Sequence, residues 1–331
     1  MNQAMKSRCE LFVQNRNEIR SRFGWESSYM YPLSASIFTG RNMPVNIERM
    51  EECKKLLMQE TGPFSNFRGI SRLAIISLLA ADADPERRLK NSLRAYGELK
   101  NEFYSSPYLP VTAIITADMV QPEEYSEVAR RTRRIYDLMK KEHPLLTSGE
   151  DSSMAVLLAL SNKDERLAVE EMEESYKVLR EHFFSGNAVQ SLSHVLTLGE
   201  GTPGAKCRKS IELFEKLKSA GCRYGTGYEL PTLGILALLD AGTEQIASEA
   251  AEVNDYLKTQ KGFGAFGIGA KQRVMYAGML VADEHMTGET KALNTAAISG
   301  TISIIAAQEA ALLAAIAAST AAASASSGAS D

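Results

Sequence analysis

At 331 residues the chain exceeds the roughly 250–300 at which a single hydrophobic core stops growing, so it holds two domains or one elongated or ring-like array. Hydrophobic residues at 44% and charged residues at 24% exclude a wholly disordered chain. Lys and Arg number 37 against 41 Asp and Glu, and the net charge of -4 argues against nucleic acid as a partner, which needs a basic face.

The N-terminus carries charges throughout, lacks the apolar core of a secretory signal, and reads as a helix over about residues 6–21. Cys9, Cys53, Cys207 and Cys222 are scattered with no CxxC pair, and His143, His182, His194 and His285 are equally dispersed. No metal site and no cofactor is expected from them; reduced, buried thiols in a cytoplasmic protein are.

From about residue 28 an internal repeat organises the chain. The apolar stretches PLSASIFTG, SRLAIISLLAA, PVTAIITADMV, SSMAVLLALS, QSLSHVLTLGE, PTLGILALLDA and VMYAGMLVAD align on Ala35, Ala74, Ala113, Ala155, Ser193, Gly234 and Ala277, spaced 39, 39, 42, 38, 41 and 43 residues apart. Between them run Leu56, Tyr96, Tyr136, Tyr176, Phe214 and Tyr256, spaced 40, 40, 40, 38 and 42. Pro32, Pro110 and Pro231 each stand three places before an anchor and mark a shared helix start, since proline is tolerated in a first turn. This first element is apolar nearly all round and therefore buried on most sides. The second is amphipathic: an aromatic residue, an aliphatic three later and then a cation, as in Tyr96, Leu99 and Lys100. Without alternating strand patterns, the expectation is an all-α fold of about seven tandem hairpins, an α/α toroid or a tightly wound α-solenoid.

The hairpins are expected to form one domain over 1–291, followed by an Ala-rich helix over 292–318 and a disordered Ala/Ser tail over 319–331. In the Ala-rich segment alanine supplies most of the apolarity, Glu309 sits centrally and nothing basic follows, which argues against membrane association through it.

HPLLTSGEDSS at 143–153, GNAVQSLSHVL at 186–196 and the Ala/Ser-rich terminus with IIAAQEAA resemble a bacterial family known only as domain of unknown function 4003. The resemblance covers nearly the whole chain. It implies one all-α unit in a soluble bacterial protein and supplies no catalytic residue.

Aligned columns expose positions that break their own pattern. His194, Asp118 and Arg72 are polar where other repeats are mainly aliphatic, and they project within roughly 60° of one helical face. Neighbouring repeats thus offer Arg72 and Asp118 as a pair, although Asp118 also reads as a helix-end residue and His194 as a hydrogen-bonded core histidine. A second set lies on the loops where the apolar helices begin: Glu150, Asp151, Asn187, Gln190, Tyr228, Glu229, Lys271 and Arg273, with His143 just upstream. These support two readings. The first is a binding or scaffold module for a peptide, protein or small ligand, contacting it through Arg72, Asp118, Glu150, Asn187, Gln190, Tyr228, Lys271 and Arg273. The alternative is an α/α-toroid hydrolase or lyase using Asp151 and Glu229 with His143 or His194, since paired carboxylates serve acid–base chemistry. Beside both stands plain capping by Asp151 or Ser148. GFGAFG at 262–267 follows no strand and is set aside as a dinucleotide motif.

Overall fold

A computed structural model describes residues 1–24, 26, 30–69, 71–161, 163–264 and 267–286, and these are all-α. The first helix is α1 (Gln3–Arg22), and shorter and longer helices alternate after it as far as α13. They are α2 (Met30–Thr39), α3 (Ile47–Glu60), α4 (Arg72–Ala80), α5 (Pro85–Glu102), α6 (Leu109–Met119), α7 (Tyr125–Glu142) and α8 (Ser152–Leu160). The order continues through α9 (Glu165–Arg180), α10 (Gly186–Leu198), α11 (Pro203–Ser219), α12 (Leu230–Leu238), α13 (Thr243–Thr259) and α14 (Ala270–Met286). The Ala-rich helix expected over 292–318 and the tail over 319–331 lie outside the described residues. Among the described residues, no helix is long and apolar enough to cross a membrane.

Local chemistry sets the boundaries. Asp84 and Asp164 cap α5 and α9 by accepting backbone N–H bonds, and Asn46 and Thr202 do the same for α3 and α11. Pro85 and Pro203 occupy first helical turns, as do Pro110 and Pro231 in the short helices α6 and α12. Asn2 caps α1 and starts it at Gln3, ahead of the expected residue 6. Gln190, expected on a loop, lies well inside α10, because Ser185 caps that helix and starts it at Gly186.

Burial separates the two helix classes. Leu73–Ala80 of α4, Ser152–Ala159 of α8 and Leu230–Ala237 of α12 are buried at every position, as the all-round apolar pattern requires. The long helices bury one stripe, such as Leu89, Ser92, Ala95 and Leu99 in α5 or Ala168, Met172, Ser175 and Leu179 in α9. Buried hydroxyls of Ser77, Ser92, Thr116, Thr132 and Thr197 donate to the carbonyl four residues back, so they enter the core with partners. The aligned small residues bring backbones close. A methyl group on Gly234 would stand 2.8 Å from Leu192 Cδ1, so α12 meets α10 through that gap.

Each long helix packs on the next from α5 to α13, and each long helix from α3 to α13 packs on the helix that follows it. Helix α1 contacts the beginning and the end of this series together. It packs most extensively on α2 and also touches α3, α13 and α14. Phe12 lies 5.8 Å from the rings of both Phe263 and Tyr276, Arg8 pairs with Glu284 at 3.0 Å, and the N-terminal amine pairs with Glu252.

Candidate functional site

The connectors that lead from a long helix into a short one touch in succession. Asn66 Nδ2 donates to Ser105 Oγ at 2.8 Å, Gly149 lies against Ser106 and Tyr108, and Asn187 Nδ2 donates to Glu150 Oε1 at 3.0 Å. These contacts place four connectors (61–69, 103–108, 143–151 and 181–185) on one edge.

Each connector is pinned by an aromatic lock. Phe67 packs edge-on against Tyr96 at 5.2 Å, Phe103 against Tyr136 at 5.4 Å and Phe183 against Phe214 at 5.1 Å. His143 stands 40 residues from both Phe103 and Phe183 and fills the same position, its ring 4.3 Å from Tyr176. Its Nε2 also lies 2.8 Å from Glu173 Oε1. The sequence offered His143 as a catalytic candidate; here it is the polar member of a lock series.

Next to the inward locks, side chains point outward. Phe64 is 98% exposed, Tyr104 95%, Leu145 98% and Phe184 99%. Sequence reasoning passed over these tips because it looked for polar residues on the loops. The signal was present nonetheless: they stand nine or ten places before Ala74, Ala113, Ala155 and Ser193, in step with the anchors.

Beneath the tips lies a buried polar cluster. Asp151 closes a capping box with Ser148 around the 3-10 turn Gly149–Asp151, accepting the Ser148 N–H at 2.8 Å. Its Oδ1 lies 3.6 Å from His194 Nδ1 of α10, and both side chains are almost wholly buried. Desolvation pushes the Asp151 carboxyl up to about 7 and the His194 imidazole down to about 3. Gln190 Nε2 donates to Thr147 Oγ1 at 2.8 Å, and Thr147 Oγ1 donates to Met139 O at 3.2 Å. The cluster joins α7, α8 and α10 and holds the Leu145 connector in place.

The remaining candidates disperse. Glu229 is buried at the start of α12, where Gly225 leaves room for its carboxylate. Arg273 is also buried, donating to Asn254 Oδ1 at 3.0 Å and to the Phe263 carbonyl at 2.8 Å, which makes it a strut between α13, α14 and their connector. Tyr228 is half-buried and Lys271 exposed. Arg72 and Asp118 do not form the offered pair. Arg72 sits at the start of α4 and bonds Glu26 at 2.5 Å, whereas Asp118 is at the end of α6 and takes a two-pronged contact from Arg88. A helical-face projection compares directions and ignores height; the two residues stand at opposite ends of short helices.

On that opposite edge, cations from long helices close the C-termini of short ones. Arg49 donates to Ala80 O at 3.0 Å, Lys206 to Gly199 O at 2.8 Å and Lys209 to Leu239 O at 2.5 Å. Asp118 borders a surface cavity of about 430 Å³ beside Arg87, Arg88 and Gln121. Burial raises the Asp118 pKa, with the Arg88 guanidinium opposing that shift.

The fold and this edge together define a protein of alternating apolar and amphipathic helices, with a capped polar core beneath protruding apolar tips. The chain belongs to the family described as Protein of unknown function (DUF4003), whose model matches residues 15–310. It is similar to "Uncharacterized protein YeaA" of Bacillus subtilis (strain 168), with 23% identity over 304 residues and 89% of each chain covered. No solved structure matches it.

Proposed function

We propose that the chain is a binding or scaffold module of the α/α-toroid kind, engaging a partner through the edge where its short helices begin. Closure into a toroid is supported by α1, which packs against helices from both ends of the series. A single unit over 1–291 is supported by the same contacts, and a reducing, cytoplasmic setting by four free, buried cysteines.

The observation that carries the reading is the near-complete exposure of Phe64, Tyr104, Leu145 and Phe184 at equivalent places in successive connectors. Large apolar side chains left in water on one edge are the usual mark of a docking surface. Spread over four connectors, they suit a broad protein surface better than a small ligand. The hydrolase or lyase alternative has less support, because Asp151, His194 and Glu229 are closed to solvent and His143 is engaged with Tyr176 and Glu173.

The test is a photoreactive phenylalanine analogue at position 104, compared with one at Leu167, which is exposed on α9 away from this edge. The reading expects discrete cross-linked products in cells from position 104 and none from 167. No product from 104 would remove it.

A further inference from the structure

We propose that the partner of this edge is a second copy of the chain, meeting it face to face about a two-fold axis. The inference rests on the docking reading above and adds the identity of the occupant.

The area is of the right size. An aromatic side chain contributes about 150–250 Å² when buried, so Phe64, Tyr104 and Phe184 alone carry about 450–750 Å². A stable interface covers about 800 Å² per partner, and Leu145 with the connector surface around it makes up the difference.

The charges around the tips are also self-complementary. The last turn of α5 carries Lys100 with Glu102, that of α7 carries Lys140 and Lys141 with Glu142, and the end of α9 carries Lys177 and Arg180 followed by Glu181. Both signs recur along the edge. A two-fold axis reverses the order of the connectors on the facing copy, so exposed Lys177 at the α9 end of the row meets Glu60 at the α3 end, where the last turn holds no cation. Glu102, Glu142 and Glu181 interrupt these cations, so the edge offers no continuous basic face to an anionic lipid surface.

The same reversal predicts which tips meet. The row Phe64, Tyr104, Leu145, Phe184 on one copy faces the row in reverse on the other. Tyr104 therefore approaches the second copy's Leu145, and Phe64 its Phe184.

Sedimentation equilibrium of the full chain at micromolar concentration tests the proposal. The expected mass is twice 36.2 kDa. The variant carrying Phe64→Ser, Tyr104→Ser, Leu145→Ser and Phe184→Ser is expected at 36.2 kDa with unchanged helical circular dichroism. A wild-type monomer, or a variant that still dimerises, overturns the proposal. Flotation of a monomeric wild type with phosphatidylcholine/phosphatidylglycerol vesicles, lost in the variant, would assign the edge to lipid and overturns it equally.

Disulfide trapping gives a second readout, since the chain's own four cysteines are buried. Mixed Tyr104→Cys and Leu145→Cys chains should cross-link at least several-fold more than Tyr104→Cys alone. Equal yields overturn the two-fold arrangement. A photo-cross-link from position 104 to a chain of another mass leaves the docking reading standing and sinks only the second copy.

Discussion

Asp151 Oδ1 stands 3.6 Å from His194 Nδ1, and burial drives the two groups in opposite directions, the carboxyl up to about 7 and the imidazole down to about 3. Between about pH 4 and 7 folded Asp151 keeps a proton that the unfolded chain releases. Its contribution to stability is therefore complete below about pH 4 and is lost as pH rises through 7. His194 works the other way: its contribution is present above about pH 6.5 and is lost as pH falls through 3. Asp151→Asn retains an acceptor for the Ser148 N–H and removes the first dependence. The variant should match wild type near pH 4 and melt several degrees higher at pH 8, read by circular dichroism. A variant less stable than wild type at pH 8 would mean that the site holds a carboxylate comfortably.

His143 is expected to behave as a lock rather than as an acid or base. His143→Phe restores the residue found at Phe103 and Phe183 and should leave the unfolding free energy from urea denaturation within about 0.5 kcal/mol of wild type. His143→Ala loses the ring against Tyr176 and should cost about 2 kcal/mol. If the alanine variant unfolds at the wild-type midpoint, the lock interpretation is wrong.

Arg88→Met should be among the more damaging single changes on the opposite edge. Arg88 is buried and serves Asp118 and the Leu78 carbonyl together. Removing it strands both acceptors, but Asp118 is 36% exposed and water relieves part of the loss, so the cost should be about 1–3 kcal/mol. Arg88→Lys should recover less than half, because an ammonium lacks the two-pronged fork. Chemical denaturation of the three proteins decides this, and a methionine variant costing nothing would show the pair to be ornamental.

Gly234→Ala probes the gap between α10 and α12. The added methyl would meet Leu192 at 2.8 Å and Val195 Cγ1 at 2.9 Å, and overpacking of this kind costs about 1–3 kcal/mol. Adding Leu192→Ala should recover part of the loss by giving the methyl somewhere to sit. A stabilised single variant would mean that the helices can part cheaply.

Much of the fold was legible because its signals are local. The caps at Asp84 and Asp164, the prolines at 110 and 231 and the buried stripe of α5 follow from neighbouring residues three or four positions apart. Asn187 and Gln190 read as loop residues although they belong to α10, because Ser185 caps that helix five residues ahead of Gln190. Partners across helices were harder to read. Glu26 for Arg72 and Arg88 for Asp118 depend on height along neighbouring helices, which a periodic pattern leaves open. The tips escaped because an exposed aromatic residue leaves the same trace in a sequence as a buried one, and only the adjacent lock tells them apart.

The contacts of α1 bear on how the chain acquires its structure. Phe12 needs Phe263 and Tyr276, and Arg8 needs Glu284, so residues early in the chain wait for partners about 250 or more positions later. An open row of repeats can nucleate anywhere and spread from neighbour to neighbour. In the proposed toroid the final step joins the two ends of the row, and deleting α1 would uncover the apolar surface it covers on α2 and α14. Folding on the ribosome should accordingly leave the leading segment uncommitted, and open to chaperones, until nearly the entire helical series has emerged.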